Sequence, residues 1–516
     1  MGAEHGGAVG SADVGSGRVA GVAPGPERPL RVVVVGAGMA AARLAEELRA
    51  GQPDPGAMTV TVLGAEAEEP YNRIMLSHLA ATGGPELPVA WLKPTGWWER
   101  HHVALRTSTP VVAIDRPARE VLLGDGERLG YDHLVLATGA QPRIPPVEGI
   151  RVARSGPGGG PDRDLAPGVF TLRDVAGARA LTAHLSAHPG PVAVVGGGFI
   201  GLEVACAMAA AGHEVTVVHP RDRPMNGVLD AGAGSVLVRA LAAAGVRVRT
   251  GVRATRWDGG RLELDDDEIA CRTVVLTAGS APRADVARAA GLAVDDGVVV
   301  NDSLLTCDPA ISAIGDCAQH RGVVGGLVAP AWEQATVVAA RLTGVDPSAR
   351  YTGGLSVTRL KASGLDVVAL GELTAEQDGP DSGDEVEVTT ISEPARCRYA
   401  RVDVVGGRIV GAALVGHPEP VGMITQLYED ALPLPEDMVS VILGRAEAVA
   451  VPSPATMPAT AVVCRCNGVR KSDLVAAWGD GARDRVGLAE RTRAGTGCGG
   501  CSSAVDGICG WLREAG

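Results

Sequence analysis

Residues 31–51 read RVVVVGAGMAAARLAEELRAG, a run of β-branched residues followed by a glycine-rich turn and an amphipathic helical pattern. The same order returns at residues 191–218, PVAVVGGGFIGLEVACAMAAAGHEVTVV, so that Gly196 stands where Gly36 stands in the first copy. Continuous Val-rich strands that alternate with helices are typical of parallel sheets covered on both faces. The sequence therefore predicts an α/β fold with two similar units.

The two glycine-rich turns predict two dinucleotide-binding sites. Each turn follows a strand and opens a helix, where glycine permits a tight turn and the close approach of a pyrophosphate to the N–H groups of the helix start. One such motif can also be an ordinary structural turn, whereas two copies in the same context favour cofactor binding. The motif positions are Gly36, Gly38 and Ala41 in the first unit, and Gly196, Gly198 and Gly201 in the second.

The residue after the next strand of each unit is expected to contact the adenosine ribose. In the first unit this residue is Glu66, which lies later than the usual ~20 residues because an extra loop, GQPDPGA, precedes the strand. In the second unit the position is held by His219, followed closely by Arg221 and Arg223. Both NADH and NADPH remain open, because the arginines could bind a 2'-phosphate or be solvated turn residues.

The composition limits the classes of function. The 516 residues suggest several domains, and 46% hydrophobic with 21% charged residues is a globular mixture. A net charge of -13 with only 7 Trp, 5 Tyr and 2 Phe argues against a nucleic-acid partner. No apolar run approaches the ~18 residues that span a bilayer, so we expect no membrane partner. Residues 1–29 lack a signal-peptide pattern and are predicted to be a disordered tail, which favours a cytoplasmic protein.

Cysteines crowd the end of the chain, where Cys464-x-Cys466 and Cys498-x-x-Cys501 form two pairs. Without an export signal, this crowding favours a metal site in a reducing cytosol over disulfides. Four thiolates can hold either tetrahedral zinc or a 2Fe-2S cluster, and the spacing alone leaves both open. The remaining cysteines are predicted to be small buried hydrophobes: Cys206, Cys271, Cys307, Cys317, Cys397 and Cys509.

Further strand ends complete a family resemblance. The strand YDHLVLATG, residues 131–139, ends in small residues, and RTVVLTAG repeats this pattern at residues 272–279. A third strand ends in IGD, residues 314–316. Together with the two glycine motifs, they resemble the FAD-dependent pyridine nucleotide-disulfide oxidoreductases, in which one unit binds FAD and the other binds NAD(P)H. The contacts that this resemblance implies are Thr138, Gly139 and Asp316 for FAD, and Glu203 and Gly279 for NAD(P)H.

Within that family, the chain resembles the nitrite reductase large subunit and its electron-transfer relatives. No cysteine precedes Cys206, which disfavours the thiol chemistry of the disulfide reductases. Instead PYNRIMLSHL, residues 70–79, looks like a segment that walls the flavin site in that group, and SVTRLKASGLDVVALGEL, residues 356–373, looks like its α+β domain. The resemblance implies that Arg73 lies at the flavin and Glu203 near the nicotinamide, and these two are the candidate catalytic residues.

The contexts of the two cysteine pairs, CRCNGV and TGCGGC, also carry a resemblance. They are similar to the bacterioferritin-associated ferredoxin-like domain, a small helical module that nitrite reductase large subunits also carry. This resemblance favours a 2Fe-2S cluster over structural zinc. It implies that the cluster ligands are Cys464, Cys466, Cys498 and Cys501.

The predicted architecture is two Rossmann-like dinucleotide-binding domains, which we call the first and second units, an α+β domain and a small helical 2Fe-2S domain, which we call the C-terminal domain. The expected boundaries are residues 1–29 for the tail, 30–150 and 290–345 for the FAD-binding first unit, 168–289 for the NAD(P)H-binding second unit, 350–445 for the α+β domain, 446–460 for a proline-rich linker and 461–516 for the C-terminal domain.

The predicted function is electron transfer. A nicotinamide gives two electrons as a hydride and a 2Fe-2S cluster accepts one, so a flavin must stand between them. Nitrite reductase large subunits continue into a sirohaem and 4Fe-4S region, whereas this sequence stops 15 residues after Cys501. We therefore expect NADH or NADPH as donor and a separate protein as acceptor, as in the electron-transfer component of assimilatory nitrate or nitrite reduction.

Two alternatives to this function stay open. The chain could be a reductase for rubredoxin or ferredoxin, or an NAD(P)H oxidase, which would be distinguished by its acceptor. It could also be a flavoprotein sensor whose C-terminal domain binds zinc and serves as an interaction module.

Overall fold

The structure is a computed structural model. It describes residues 28–77, 80, 89–152, 165–362, 365–374, 386–435, 437–445, 454–464, 467–495 and 501–515. Most of the predicted tail, the loop between the two units and most of the predicted linker therefore lie outside the described residues, as do Cys466 and Cys498.

The first unit opens with the predicted strand, turn and helix. Its elements up to residue 142 are β1 (Leu30–Val35), α1 (Met39–Gly51), β2 (Met58–Leu63), α2 (Trp97–Arg100), β3 (Val103–Arg106), β4 (Val111–Asp115), β5 (Glu120–Leu123), β6 (Arg128–Gly130), β7 (His133–Leu136) and β8 (Ala140–Pro142). β1 pairs in parallel with β2 and β7. Helix α1 covers the sheet with one apolar face, because Ala41, Leu44, Ala45 and Leu48 follow helical spacing and are buried.

The second unit repeats this architecture. Its elements are β9 (Val169–Thr171), α3 (Val175–Ala187), β10 (Val192–Val195), α4 (Phe199–Ala210), β11 (Val215–His219), α5 (Ala231–Ala243), β12 (Val246–Thr250), β13 (Ala254–Trp257), β14 (Arg261–Leu264), β15 (Glu268–Ala270), β16 (Thr273–Leu276) and β17 (Ser280–Pro282). The parallel sheet has the order β12-β11-β10-β16-β9. An antiparallel pair of β8 with β17 joins the two units.

The chain then returns to the first unit. Helix α6 (Asp285–Ala289) packs on β4 of the first unit. The elements that follow are β18 (Val298–Val300), β19 (Ile311–Ala313), β20 (Ala318–His320), β21 (Val323–Val324) and α7 (Val328–Thr343). β19 pairs in parallel with β7, which gives the sheet order β19-β7-β1-β2-β3. Helix α7 packs against α1. Residues 30–136 and residues 311–313, which lie on either side of the second unit in the sequence, therefore build one sheet.

An antiparallel sheet follows, as predicted for the α+β domain. Its elements are β22 (Val357–Ala362), β23 (Leu365–Gly371), β24 (Val386–Glu393), β25 (Arg398–Val405), β26 (Arg408–Val415), α8 (Val421–Glu429) and α9 (Met438–Ile442). The sheet order is β22-β23-β26-β25-β24. Helix α4 packs against β22, which explains why α4 is apolar on nearly all sides.

The C-terminal domain is small and mainly helical. Its elements are β27 (Val462–Cys464), β28 (Val469–Arg470), α10 (Lys471–Gly479), α11 (Arg485–Thr492) and α12 (Ser502–Ala515). Leu474, Leu488, Val505 and Ile508 form its core with three cysteines. The predicted fold class, two Rossmann-like units with an α+β domain and a small helical domain, is confirmed.

Two of the cysteines predicted to be buried are not. Cys307 is exposed, because it stands in the turn that precedes β19, and Cys397 is only half-buried, in the left-handed turn between β24 and β25. Cys206, Cys271, Cys317 and Cys509 are buried. The prediction was wrong for the two turn residues because an apolar neighbourhood in sequence does not determine the direction of a side chain in a turn.

Candidate functional site

One cavity of about 2450 Å³ lies where the domains meet. Its walls include the glycine-rich turn of the first unit, the matching turn of the second unit and residues of helix α8. Cys501 and Ala504 of the C-terminal domain belong to the same wall. The parallel strands of both units therefore end at one shared space, which is where open α/β sheets bind their ligands.

The first glycine turn is shaped for close contact. Gly36 has φ +111°, and a Cβ there would lie 2.1 Å from the carbonyl oxygen of Ala137 at the end of β7. No other residue type fits this position. Gly38 precedes α1, so the N–H groups of the first turn of α1 meet no side-chain cap and remain directed toward the cavity. Ala41 is fully buried behind the turn and packs on the sheet rather than lining the cavity.

Glu66 and Arg73 form an ion pair beside this turn, and both line the cavity. Tyr71 donates its hydroxyl hydrogen to Glu66 Oε2 over 2.7 Å. Arg73 also donates to the carbonyl oxygen of Arg173 over 2.9 Å. Burial acts to lower the pKa of Arg73, but the Glu66 carboxylate beside it raises that pKa overall. The guanidinium is therefore charged and held in one orientation.

The strand ends of the first unit place Thr138, Gly139 and Asp316 on the cavity wall. Asp316 follows β19, and its Oδ2 accepts a hydrogen bond from Arg173 Nη2 over 2.5 Å. Thr138 donates its hydroxyl hydrogen to the carbonyl oxygen of Arg283 over 2.6 Å. The motifs did not point to Arg173 or Arg283, since each reaches the site from a different part of the chain.

The second glycine turn has the same geometry. Gly196 has φ +125°, and a Cβ there would lie 2.3 Å from the carbonyl oxygen of Thr277 at the end of β16. A Cβ on Gly201 would lie 2.0 Å from the carbonyl oxygen of Gly196, so this glycine lets α4 pack directly on the turn. Gly198 and Gly279 line the cavity and have open space where a Cβ would stand.

His219 ends β11 and supports the second turn from within. Its Nδ1 accepts a hydrogen bond from the N–H of Gly197 over 3.1 Å, and its Nε2 lies 3.0 Å from Asn226 Oδ1. Both ring nitrogens are thus used inside the protein, while the ring itself lines the cavity. The exposed Arg253 lines the same end of the cavity and was not predicted from the sequence.

Glu203 lies on α4, in the first turns after Gly198, and lines the cavity. It is 9% exposed, and Ser77 donates to its Oε2 over 2.8 Å. Burial, together with the charge of Glu203, raises the pKa of Cys206 to about 11. Glu203 and Arg73, the two candidate catalytic residues, are therefore both brought to the cavity, one from each unit.

Two of the four predicted cluster ligands, Cys464 and Cys501, lie in the described part of the chain, and their surroundings fit a metal cluster. Cys464 is completely buried and Cys501 is 7% exposed, in one core of the C-terminal domain. The side-chain amide of Asn467 donates to Cys464 Sγ over 3.7 Å and to the carbonyl oxygen of Arg493 over 2.7 Å. Thiolates held in an apolar core with an amide donor to sulfur suit an iron-sulfur cluster. In the described part of the chain, no three His, Cys, Asp or Glu side chains form a metal site.

Comparison with known proteins decides the family. Residues 30–338 match the family model described as pyridine nucleotide-disulphide oxidoreductase. The chain belongs to this family. Residues 462–509 match the BFD-like [2Fe-2S] binding domain. These two matches confirm the predicted cofactor set of FAD, NAD(P)H and a 2Fe-2S cluster, and they support the cluster over the zinc alternative.

Two of the curated relatives are named for nitrite and nitrate reduction. The chain is 30% identical to a nitrite reductase [NAD(P)H] of Bacillus subtilis over 487 residues, covering 93% of this chain and 57% of that protein. It is 29% identical to the assimilatory nitrate reductase electron transfer subunit of the same organism over 500 residues, covering 94% of this chain and 60% of that protein. The chain thus spans just over half the length of these relatives.

Solved structures show the same architecture. A ferredoxin reductase of Rhodopseudomonas palustris matches with a TM-score of 0.64 and 30% identity, covering 75% of this chain and 91% of that one. The predicted class of enzyme, an NAD(P)H-dependent flavin oxidoreductase, is confirmed. Among the described residues, none of the helices combines the length and apolar character needed to cross a bilayer.

Proposed function

We propose that the chain is an NAD(P)H-dependent electron-transfer reductase that delivers electrons through FAD and the 2Fe-2S cluster to a separate acceptor protein. The shared cavity wall carries this proposal, because Cys501, a proposed cluster ligand, lies on it with Gly38 of the first turn and Gly198 of the second. All three cofactors would then meet in one space. A bound flavin supplies the conversion between a hydride and single electrons.

The two units would divide the binding of the cofactors. In the first, the N-terminus of α1 would face the pyrophosphate, since helix N-termini bind anions. The residues assigned to FAD are Gly36, Gly38, Ala41, Glu66, Arg73, Thr138, Gly139 and Asp316. Those assigned to NAD(P)H are Gly196, Gly198, Gly201, Glu203, His219 and Gly279. Ala41 and Gly201 would act indirectly, by allowing each helix to pack closely behind its turn.

Glu203 and Arg73 are the residues we assign to the reacting end of the cavity. Glu203, oriented by Ser77, would position the nicotinamide. Arg73, fixed between Glu66 and the backbone of Arg173, would lie beside the flavin and place a permanent positive charge there. Such a charge favours electron-rich states of a neighbouring cofactor.

The proposed acceptor is the catalytic component of assimilatory nitrate or nitrite reduction. One curated relative is named an electron transfer subunit of that system, which supports this acceptor. A second candidate function is a reductase for ferredoxin or rubredoxin, which the similarity to a ferredoxin reductase over 91% of its length favours. The proposal includes a cytoplasmic location, because thiol-held metal centres are typical of reducing compartments.

The experiment is an anaerobic titration of the purified full chain with NADH and with NADPH, with iron and zinc quantified. The proposal predicts about two iron atoms per chain, as a 2Fe-2S cluster requires. It also predicts flavin absorbance that bleaches first and cluster absorbance that falls next. Zinc in place of iron, with flavin bleaching alone, would point to the sensor alternative.

A second step identifies the acceptor. The reduced chain is mixed anaerobically with an assimilatory nitrate reductase catalytic component, a nitrite reductase, a ferredoxin, a rubredoxin or dissolved oxygen. Fast reoxidation by a nitrogen-cycle component supports the proposed acceptor. Preferential reoxidation by ferredoxin or rubredoxin supports the second candidate, and rapid turnover with oxygen alone would indicate an NAD(P)H oxidase.

A further inference from the structure

One arginine on the cavity wall has no acid to balance its charge. Among the described residues, five arginines line the cavity: Arg73, Arg173, Arg253, Arg283 and Arg359. Arg73, Arg173 and Arg359 each form an ion pair with a carboxylate, and Arg253 is exposed to solvent. Arg283 is half-buried, and its Nε is buried without a hydrogen-bond partner in the part of the chain that the structure describes. Its guanidinium is therefore left to be paired by something outside the chain.

The backbone of Arg283 is fixed to the first unit. Its N–H donates to the carbonyl oxygen of Gly139 over 2.9 Å, and its carbonyl oxygen accepts a hydrogen bond from the Thr138 hydroxyl over 2.6 Å. The next residue, Ala284, is buried in the core of the first unit. Arg283 follows β17 of the second unit in the chain, but its position is set by the strand end of the first unit.

The same strand end borders the first glycine turn. A Cβ on Gly36 would lie 3.1 Å from the backbone nitrogen of Thr138, and Thr138 is the residue that Arg283 holds. The second glycine turn instead contacts Thr277, which precedes Arg283 by six residues in the sequence. Six extended residues span up to about 20 Å. Arg283 is thus joined to the first turn by direct contacts, and to the second turn only along the chain through β17.

The chemistry of this side chain indicates an anion as its partner. A guanidinium stays charged at every pH that a protein tolerates, and it carries five N–H donors but no acceptor. A buried donor without an acceptor destabilises the protein, so a bound ligand that supplies one is favoured. Phosphate oxygens match the planar fork of an arginine and accept two parallel hydrogen bonds from it. FAD and NAD(P)H, the dinucleotides of this family, each carry a pyrophosphate.

We propose that Arg283 binds the pyrophosphate of a dinucleotide cofactor, and that this cofactor is FAD. The assignment to FAD follows from the contacts of Arg283 with Thr138 and Gly139, beside the first glycine turn. Arg283 holds the cofactor and takes no part in the transfer of electrons. The proposal deepens the cofactor sites of the proposed function and rests on them, but it does not depend on the identity of the acceptor.

The test compares the unaltered full chain with Arg283→Gln, Arg283→Lys and the control Arg288→Gln. Arg288 is an exposed arginine of α6 that pairs with Asp285 at 3.5 Å, so its variant removes a positive charge from the same segment but away from the cavity. Each flavin-free full chain is titrated with FAD and with riboflavin, which has the same ring system and no phosphate. Flavin fluorescence reports binding without any redox chemistry.

We expect Arg283→Gln to bind FAD roughly 10- to 100-fold more weakly than the unaltered chain, as the loss of hydrogen bonds to a charged group implies. Its affinity for riboflavin should not change. Arg283→Lys should lose less, because lysine keeps the charge but not the fork, and Arg288→Gln should bind both flavins like the unaltered chain. A damaged fold would weaken both flavins equally, so an equal loss for FAD and riboflavin would overturn the phosphate contact.

The KM for NADH, measured on FAD-saturated chains with an artificial one-electron acceptor, separates the two sources of the pyrophosphate. An unchanged KM in Arg283→Gln, together with weakened FAD binding, supports FAD as the source. A KM raised by a similar factor, with unchanged FAD affinity, would overturn the assignment to FAD and place the contact on NAD(P)H.

The outcomes also distinguish this proposal from the proposed function. If Arg283→Gln keeps both its FAD affinity and its KM for NADH, the role of Arg283 is overturned and the electron-transfer function still stands. If the unaltered chain reduces no protein acceptor while Arg283→Gln loses FAD affinity as expected, the electron-transfer function is rejected and the role of Arg283 is supported.

Discussion

Replacing Arg401 with methionine tests how the α+β domain is attached to the second unit. Arg401 lies on β25 and is 4% exposed. It donates from Nε to Asp403 Oδ1 over 2.8 Å and from Nη2 to Asp403 Oδ2 over 2.9 Å. It also donates from Nη1 over 3.2 Å to Asp230, the residue that caps α5 of the second unit. The variant leaves the Asp403 carboxylate, which is completely buried, without its cation.

The expected loss of stability follows from these contacts. Breaking a buried ion pair by removing one partner destabilises a protein by about 3–5 kcal/mol. The lower end applies, because Thr374 still donates to Asp403 from its N–H and its hydroxyl, over 2.7 and 2.6 Å. We therefore expect about 3 kcal/mol, which corresponds to a roughly 150-fold change in the local opening equilibrium.

Native-state hydrogen exchange with mass spectrometry measures the opening equilibrium of each segment separately. A local measurement is needed because a chain of several domains does not unfold in one step. Peptides that cover β25 should exchange roughly 150-fold faster in Arg401→Met, whereas peptides that cover β1 should not change. In an Asp403→Asn background the same change should have a much smaller effect, because no buried charge is left unpaired. An acceleration below tenfold, or an equal effect in both backgrounds, would refute the reasoning.

Three further predictions address charge, specificity and the cluster. Burial lowers the pKa of His133 to about 4, whereas the pKa in the unfolded chain is ~6.5. The contribution of the neutral His133 to the free energy of unfolding is therefore complete above pH ~6.5 and is lost as the pH falls toward 4. In native-state hydrogen exchange of peptides that cover β7, His133→Phe should reduce the free energy of local opening that is lost between pH 7 and 4.5 by roughly 2 kcal/mol, and an unchanged pH dependence would contradict this. Arg253→Ala should lower kcat/KM for NADPH by roughly tenfold and leave NADH nearly unchanged, because only NADPH carries a 2'-phosphate; equal losses for both would exclude a phosphate contact. Cys501→Ser should abolish bound iron yet keep flavin bleaching by NADH, whereas the matched Cys509→Ser should retain iron, and iron retained by both would remove Cys501 from the ligand set.

The chemistry at the glycine turns was predictable because it is local. Gly36 and Gly196 both adopt positive φ, as a tight turn between strand and helix requires. The strand and helix on each side follow from hydrophobic periodicity. The α/β class, the duplicated units and the family were therefore accessible from the order of residues alone.

The contacts that complete the site were not predictable in this way. Arg173 reaches Asp316 from 143 positions away, and Ser77 reaches Glu203 from 126 positions away. His219, which we assign to NAD(P)H, is held in place by Gly197 and Asn226 through its two ring nitrogens. No spacing rule connects such pairs, because they meet only after the sheets have packed.

The sequence by itself determined which chemistry this protein can carry: two glycine turns for dinucleotides and paired cysteines for a metal cluster, each encoded within a few neighbouring residues. Only the tertiary structure decided that these separate sites share one cavity and that Gly468 of the C-terminal domain lies against Arg43 and Trp332 of the first unit. The physical reason is the distance along the sequence over which each kind of interaction acts. Turn geometry and helical periodicity depend on adjacent residues, whereas the arrangement of domains depends on side-chain packing and charge pairing between distant parts of the chain.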